Sequence, residues 1–180
     1  MRLFVALLLS EEMKDVLCQS QTELRNHARS GNFSRRENLH LTLAFLGDCP
    51  PSAVARIRRA MNGAAAESSP FSITLRGLGR FRRPGTDLWW AGLEKEIALT
   101  HLANSLRREL KGEGLTLDEK PFSPHLTLAR QVDAPGLRPE DIPQERVSQP
   151  VVSMSLMEST RVNGVLTYRE ILSVSLGKPV

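Results

Sequence analysis

"HLTLA" at residues 40–44 is spelled again, letter for letter, at residues 125–129. Each copy carries one of the four histidines of the chain, and the second copy begins 85 residues after the first. A pentapeptide that returns in a chain of only 180 residues indicates an internal duplication, shared chemistry, or both.

The same offset relates the start of the chain to its middle. "LFVALL" at 3–8 falls on "LWWAGL" at 88–93, with leucines, an aromatic residue and an alanine in matching places. A basic residue followed by seven apolar ones also resembles the start of a signal peptide, but Glu11 and Glu12 follow without a small-residue cleavage site. We therefore interpret the opening segment as a buried strand that has a counterpart in the second half.

Between each of these strands and its HLTLA copy, apolar residues recur with a helical period. They are Met13, Val16, Leu17, Leu24 and Ala28 in the first half, and Leu99, Leu102, Leu106 and Leu110 in the second. Ser10 is a candidate N-cap for the first helix, while Gly112 and Gly114 are candidates for ending the second. After prolines 50 and 51, a third helix is predicted from Val54, Ile57 and Met61.

Alternating apolar and polar residues predict half-buried strands at 71–81, 151–162 and 168–178. The stretch 133–150 holds four prolines and predicts a loop. These patterns together predict an α+β protein whose two β-α-β lobes form a single unit over residues 1–180, without a linker between separate domains. Each lobe contributes one HLTLA strand to a shared centre.

The composition of the chain bears on the charge of its ligand and on its cellular compartment. The 24 basic and 20 acidic residues give a net charge of +4, which is compatible with an anionic ligand but far from a histone-like tail. Cys18 and Cys49 have neither CxxC spacing nor enough partners for a disulfide framework, and no apolar stretch is long enough to span a membrane. We therefore expect a cytoplasmic protein with free thiols.

The HLTLA strands predict a site. Because successive side chains of a strand point to opposite faces, one face should carry His40, Thr42 and Ala44. The opposite face should carry Leu41, Leu43 and Phe45, which leaves ample apolar surface for packing. The second copy repeats this pattern with His125, Thr127 and Ala129, so the two faces should converge on a cleft with two imidazoles and two hydroxyls.

This set of groups suits phosphodiester cleavage without a metal. One imidazole can be neutral while the other is protonated near neutral pH, so the pair supplies a base and an acid. The hydroxyls of Thr42 and Thr127 could donate to the non-bridging phosphate oxygens. A zinc site is the competing interpretation, but no suitably spaced Cys, Asp or Glu accompanies the two histidines, and we expect no metal.

The motifs "NLHLTLAFLG" at 38–47 and "SPHLTLAR" at 123–130, with the opening "RLFVAL" at 2–7, resemble the two-histidine (2H) phosphoesterase superfamily. Within it they are most similar to the RNA 2′,3′-cyclic phosphodiesterases of the ThpR/LigT family, long called 2′-5′ RNA ligases. The resemblance covers essentially the whole chain. It implies a bilobal, pseudo-twofold α+β fold in which two antiparallel sheets, flanked by helices, enclose a central cleft without a cofactor.

The resemblance also implies roles for individual residues. His40 would protonate the departing 3′ oxygen of a terminal 2′,3′-cyclic phosphate, and His125 would activate water, leaving a 2′-phosphate. Arg130 is similar to the phosphate-proximal arginine of the family. An RNA 5′-hydroxyl in place of water would give a 2′-5′ linkage. The expected partner is RNA with cyclic phosphate ends, with tRNA fragments as one candidate. We expect a monomer because both half-sites lie on one chain.

Several side chains keep two interpretations. Phe4 and Phe45 could stack a terminal base or pack in the core. Arg35, Arg36 and the stretch "GRFRRPG" at 79–85 could bind single-stranded RNA or form a solvated surface. Trp89 and Trp90 cannot both face the core of one strand, so one of them should be exposed or line the cleft. His27 and His101 fall inside predicted helices, and we interpret them as incidental.

Two other functions remain open at this point. The first is a phosphodiesterase for small cyclic-phosphate nucleotides or 2′-5′ oligonucleotides, which a test of substrate length would separate from an enzyme of RNA ends. The second is a protein that binds RNA ends without turnover, which the intact histidines and threonines argue against.

Overall fold

The structure, a computed structural model, describes residues 1–177. Its helices are α1 (Glu11–His27), α2 (Ala53–Ala66) and α3 (Ile97–Gly112). Its strands are β1 (Arg2–Leu8), β2 (Ser30–Phe33), β3 (His40–Asp48), β4 (Phe71–Arg82), β5 (Asp87–Leu93), β6 (Leu126–Asp133), β7 (Ser148–Val151), β8 (Ser153–Val162) and β9 (Val165–Ser175). Two short 3₁₀ turns occur at Arg36–Asn38 and Pro139–Asp141.

The strands form two sheets. A four-stranded sheet has the order β3-β1-β8-β9, and a five-stranded sheet has the order β2-β6-β5-β4-β7. Every pairing within them is antiparallel. The predicted α+β class with two antiparallel sheets is therefore confirmed.

The duplication is visible in the strands that surround the histidines. The 85-residue offset carries β1 onto β5, and β1 pairs with β3 as β5 pairs with β6. Each sheet also takes strands from the other half of the chain, because β8 and β9 extend the sheet of β1 while β4 lies against β5. The two lobes are therefore interleaved, which no local pattern in the sequence predicts.

One apolar core joins both sheets and the helices. It contains the leucines of both HLTLA copies, Leu41, Leu43, Leu126 and Leu128, none more than 1% exposed. The predicted apolar faces of the helices pack against them, represented by Leu17 of α1, Met61 of α2 and Leu106 of α3, all fully buried. Burying the leucine face of each strand leaves the histidine face to line the space outside the core.

The predicted helix ends are confirmed by their geometry. The Ser10 hydroxyl accepts a hydrogen bond from the backbone N–H of Met13 at 3.1 Å, as an N-cap does. Helix α3 ends at Gly112, and Gly114 two residues later takes a φ of +77°, which favours glycine.

The loop predicted for 133–150 is wrong at its end. Residues from Ser148 onward form β7, where Pro150 lies opposite Ser72 of β4. A proline fits here because β7 is an edge strand, whose outer N–H positions need no partner.

Other boundaries also differ from the prediction. The predicted strand 151–162 is interrupted at residue 152, between β7 and β8. The predicted strand 168–178 begins three residues earlier, at Val165, and residue 178 lies outside the described residues. Strand β2 was not predicted, because its sequence "SGNF" is short, polar and without alternation.

No helix in residues 1–177 is long and apolar enough to cross a membrane. Cys18 and Cys49 are both free thiols, as predicted.

Candidate active site

The two histidines are held in the same way. Nδ1 of His40 lies 2.7 Å from the carbonyl oxygen of Asn38, and Nδ1 of His125 lies 2.7 Å from that of Ser123. A carbonyl oxygen only accepts, so Nδ1 donates in both cases and carries a proton. In the neutral ring Nε2 is then the free base, which fixes the tautomer that each histidine presents.

The hydroxyl beside each histidine is used differently. Thr42 Oγ1 lies 2.8 Å from Nε2 of His40, so this threonine donates to the neutral ring or accepts from the protonated one. Within residues 1–177, Nε2 of His125 has no hydrogen-bond partner, although Thr127 occupies the corresponding position. The first histidine is therefore already engaged, whereas the second is free to meet a ligand or water.

Aromatic rings enclose His40. Its ring centroid lies 4.9 Å from that of Phe4 and 5.1 Å from that of Tyr168, which meets it edge-on. Phe4 is only 3% exposed and forms a small apolar cluster with Ala6 and Met157. This enclosure removes water from one side of the imidazole.

The enclosure has an electrostatic consequence. Burial lowers the pKa of His40 below the ordinary value of an imidazole, and the nearby charges of Arg130 and His125 lower it further. The hydrogen bond to the Asn38 carbonyl opposes this shift, since it favours the protonated ring. In the unliganded protein, His40 therefore stays neutral to lower pH than an exposed histidine does.

A second aromatic pair lies beside His125. The centroid of Phe81 is 5.3 Å from that of His125, and the centroid of Trp90 is 6.3 Å away. The prediction that only one of the two tryptophans faces the core is confirmed, because Trp89 is fully buried while Trp90 is half-buried on the histidine side.

A β-bulge in β3 changes the direction of the side chains beyond Thr42. Thr42 lies opposite Ala6 of β1, but Ala44 lies opposite Val5, so Leu43 is an extra residue in the strand. The extra residue shifts the alternation by one position.

The second copy has its bulge in the same place. Thr127 of β6 lies opposite Trp90 of β5, and Ala129 lies opposite Trp89, which leaves Leu128 as the extra residue. The repeated pentapeptide therefore repeats its irregularity as well as its residues.

The bulges correct the predicted faces. Ala44 and Ala129 belong to buried apolar clusters and do not share the face of the histidines, contrary to the strict alternation. Phe45 lies opposite Phe4, on the face of His40, and Arg130 takes the matching place after Thr127.

These shifts place the remaining predicted residues. Arg130 is exposed and near enough to His40 for its charge to act on the imidazole. Phe45 is 44% exposed, with the guanidinium of Arg2 lying 5.1 Å from its ring centroid. Phe4 is buried against His40, which leaves it little free surface, and a stacking role for either phenylalanine stays a prediction.

Other basic residues are already engaged. Arg36 forms ion pairs with Glu11 at 2.6 Å and with Asp15 at 2.7 Å, which tie it to α1. Arg80 donates to the Leu137 carbonyl at 2.7 Å. We therefore assign these two arginines to structural contacts.

The other two histidines bond to backbone carbonyls on the surface. His27 contacts the carbonyl of Glu23, and His101 contacts that of Glu67, as expected of incidental residues.

Sequence reasoning missed two parts of this site. Asn38 and Ser123 stand two residues before their histidines at the same 85-residue offset, so the repeat itself could have identified them. Tyr168 had no such signal, because it reaches His40 only through the pairing of β9 with β8. Among residues 1–177, no three His, Cys, Asp or Glu side chains cluster in a way that could hold a metal ion.

The chain is similar in sequence to proteins of a known family. The sequence profile described as the "2'-5' RNA ligase superfamily" matches residues 13–158. The RNA 2',3'-cyclic phosphodiesterase of Geobacillus stearothermophilus is 34% identical over 163 residues, covering 89% of this chain and 52% of the relative. The chain thus spans about half the length of that relative.

Two further similarities cover a larger share of the related protein. The RNA 2',3'-cyclic phosphodiesterase of Thermus thermophilus is 39% identical over 147 residues, covering 77% of this chain and 73% of that protein. The crystal structure of TT0787 from the same organism superposes with a TM-score of 0.82 at 32% identity, covering 99% of this chain and all of that one.

Proposed function

The chain belongs to the 2′-5′ RNA ligase superfamily, and from this premise we propose that it is an RNA 2′,3′-cyclic phosphodiesterase, which hydrolyses the cyclic phosphate at RNA ends to a 2′-phosphomonoester. His40 and His125 would act as an acid and base pair without a cofactor. The names of the relatives support the reaction, and the geometry of the two histidines supports the mechanism.

The observation that carries this proposal is the matched presentation of the two imidazoles. In each, the proton on Nδ1 is held by a carbonyl two residues earlier, so Nε2 is the atom available to exchange a proton with a ligand. A group whose tautomer and orientation are set beforehand transfers a proton without first reorganising. Each such transfer typically contributes about 10²- to 10⁴-fold to the rate.

The division of roles follows the resemblance to the ThpR/LigT family. We assign the acid to His40 and the base to His125, whose Nε2 meets no protein group within the described residues. The lowered pKa of His40 would leave the acid unprotonated in the free protein near neutral pH. A bound phosphodiester would oppose this shift, because its negative charge stabilises the imidazolium and offsets Arg130. Binding of the substrate would therefore favour the protonated form of His40, which the acid role requires.

The phosphate would lie between the two HLTLA strands. Thr42 and Thr127 would donate hydrogen bonds to its non-bridging oxygens, and Arg130 would supply positive charge near His40. When the phosphate arrives, the Thr42 hydroxyl would exchange its contact with Nε2 for one with the ligand. Phe45, the more exposed of the two predicted phenylalanines, is better placed than Phe4 to stack a terminal base.

Formation of a 2′-5′ linkage would use the same groups with a different nucleophile. If an RNA 5′-hydroxyl replaced water, His125 would accept its proton, a bond from phosphorus to that 5′ oxygen would form, and the bond from phosphorus to the 3′ oxygen would break. His40 would protonate the freed 3′ oxygen. The product would be a 2′-5′ linkage.

The experiment that tests this function is hydrolysis of a short RNA ending in a 2′,3′-cyclic phosphate, in excess EDTA, with the position of the product phosphate determined by ³¹P NMR. We expect a 2′-phosphate from the wild-type protein and none from the double variant His40→Ala/His125→Ala. The matched control is His27→Ala/His101→Ala, which removes two histidines from helical surfaces and should keep full activity.

Each alternative has its own outcome in this assay. Turnover of mononucleotide cyclic phosphates but not of RNA would replace the RNA substrate with a small nucleotide. Tight RNA binding without any turnover would replace the enzyme with a binding protein. Activity in a parallel reaction without EDTA, and none in excess EDTA, would show that the mechanism needs a metal ion.

A further inference from the structure

The aromatic pair beside His125 differs from the pair beside His40 in being open. Phe4 is buried and lies 5.0 Å from half-buried Tyr168 between ring centroids, and both rings pack in one small apolar cluster. Phe81 and Trp90 are 5.3 Å apart, and both are half-buried. Neither belongs to the apolar clusters of the core. The Phe81 and Trp90 rings, which we call the aromatic shelf, therefore keep free surface next to a proposed catalytic base.

The backbone makes room for this shelf. Gly79 lies opposite Trp90 in the pairing of β4 with β5, and the indole lies over it. A Cβ atom at residue 79 would be 2.2 Å from Cη2 of Trp90, closer than atoms can approach. Because Gly79 has no side chain, the indole can extend over β4 toward Phe81, two residues further along the same face.

Two arginines follow the shelf along the chain. Arg82 and Arg83 follow Phe81 directly, and both are exposed. In the part of the chain that the structure describes, neither has an ion-pair partner, unlike Arg80, whose guanidinium lies 3.9 Å from the Asp87 carboxylate. Alternation along β4 turns Arg82 to the opposite face, with Arg80, so the surface beside His125 is aromatic. Such a surface suits single-stranded nucleic acid, whose bases stack on aromatic rings.

The position of the shelf identifies its ligand. In an in-line displacement at phosphorus, the nucleophile and the leaving oxygen lie on opposite sides, so a base at His125 marks the nucleophile side. When water attacks, nothing lies beyond the nucleophile. When a 5′-hydroxyl attacks, its nucleoside must lie beyond His125, where Phe81 and Trp90 are.

We propose that the aromatic shelf is a second nucleoside subsite, which stacks the first base of the RNA strand that carries the 5′-hydroxyl. This inference rests on the proposed function, because it needs His125 on the nucleophile side. In the step that it serves, the 5′-hydroxyl proton passes to Nε2 of His125 as the oxygen bonds to phosphorus. The 3′ oxygen leaves with a proton from His40. The shelf would act equally in the reverse cleavage of a 2′-5′ linkage.

The test compares a substrate with one nucleoside and a substrate with two. Adenosine 2′,3′-cyclic phosphate fills only the first subsite, whereas 2′-5′-linked ApA fills both. Phe81→Leu keeps apolar volume beside His125 but removes the aromatic face. We expect its loss in kcat/KM to be about tenfold greater for the dinucleotide, the size of one lost stacking interaction. Phe33→Leu, the same change on β2 beneath Arg25, should leave the ratio of the two losses at one.

Equal losses for both substrates in Phe81→Leu would overturn the subsite and leave the proposed hydrolysis intact. If neither substrate is turned over, the assay with the short RNA decides the proposed function, and binding decides the subsite separately. The probe is then the 5′-hydroxyl trinucleotide ApApA, which should quench tryptophan fluorescence in the wild-type protein but not in Trp90→Phe, where Trp89 remains as the buried reference. Absence of this quenching in the wild-type protein would overturn the proposal.

Discussion

His40 and His125 stand in identical pentapeptides and make the same Nδ1 contact, yet their surroundings differ in almost every other respect. His40 is enclosed by Phe4 and Tyr168, with its Nε2 bonded to Thr42. His125 has the open aromatic shelf beside it. The duplication therefore copied the orientation of the imidazole, while the rest of the fold gave each copy a different environment.

The strands outside the repeat create this difference. Strand β9 supplies Tyr168 to His40, and its Leu166 carbonyl accepts a hydrogen bond from the Asn38 side chain at 3.0 Å. Strand β4 supplies Phe81 to His125. Unequal environments are what acid-base catalysis requires of two identical groups, because one must hold a proton while the other lacks it.

The largest expected effect comes from removing one histidine at a time. We expect His40→Ala and His125→Ala each to lose roughly 10²- to 10⁴-fold in kcat. The pH dependence of kcat/KM should distinguish them. His125→Ala should lose the acidic limb, because the base is missing, and His40→Ala should lose the alkaline limb. If the two variants lose the opposite limbs, the acid and base roles are reversed. If both variants keep both limbs, the two histidines are not the acid and base pair.

The next effect concerns the residues that orient the rings. Asn38 is only 8% exposed, and Asn38→Ala removes its hydrogen bond to the Leu166 carbonyl, which should cost about 1.5 kcal/mol in the free energy of unfolding, at the upper end for one hydrogen bond. Ser123 is its counterpart at the 85-residue offset and is exposed, so Ser123→Ala should change stability little. Urea denaturation of both variants measures the difference. Equal costs would mean that the two histidines are anchored alike.

A smaller effect is expected at the shelf. Gly79→Ala places a methyl group on the indole of Trp90, which must move, and we expect a loss of about 1 kcal/mol, at the low end for overpacking. Near-ultraviolet circular dichroism should report the displaced indole. Gly112→Ala is the control, because a Cβ at that position meets no atom within 4 Å. An unchanged spectrum in Gly79→Ala would show that the indole does not depend on this glycine.

The smallest effect should be a displacement of the pH profile. The positive charge of Arg130 lowers the pKa of His40, so Arg130→Gln should raise that pKa. If His40 is the acid, activity is lost as pH rises through its pKa, and the alkaline limb of kcat/KM should move to higher pH. Arg58→Gln, on the exposed side of α2, should leave both limbs in place. Movement of the acidic limb instead would make His40 the base.

Much of this protein could be predicted from local patterns in its sequence. The repeated HLTLA located the two histidines and threonines, the 85-residue offset located β1 and β5, and helical periodicity located the three helices. Such features depend on residues that are near one another along the chain. The N-cap at Ser10 belongs to the same class, since its hydrogen bond closes within three residues.

The faces beyond the threonines could not be predicted in this way. Strict alternation assigned Ala44 to the histidine face and Phe45 to the opposite one, and the bulge at Leu43 reversed both. A bulge depends on how β3 aligns with β1, two strands separated by a helix. The same holds for Arg130, which the bulge at Leu128 turns toward the side of His40.

The sequence by itself determined the chemical groups of the site, because a strand presents His and Thr two residues apart on one face whatever surrounds it. Only the tertiary structure decided what surrounds each imidazole. Tyr168 reaches His40 across more than a hundred residues of chain, and Phe81 reaches His125 across β5. The lowered pKa of His40 and the different ligand access of the two identical motifs follow from burial and long-range strand pairing, which no five-residue pattern encodes.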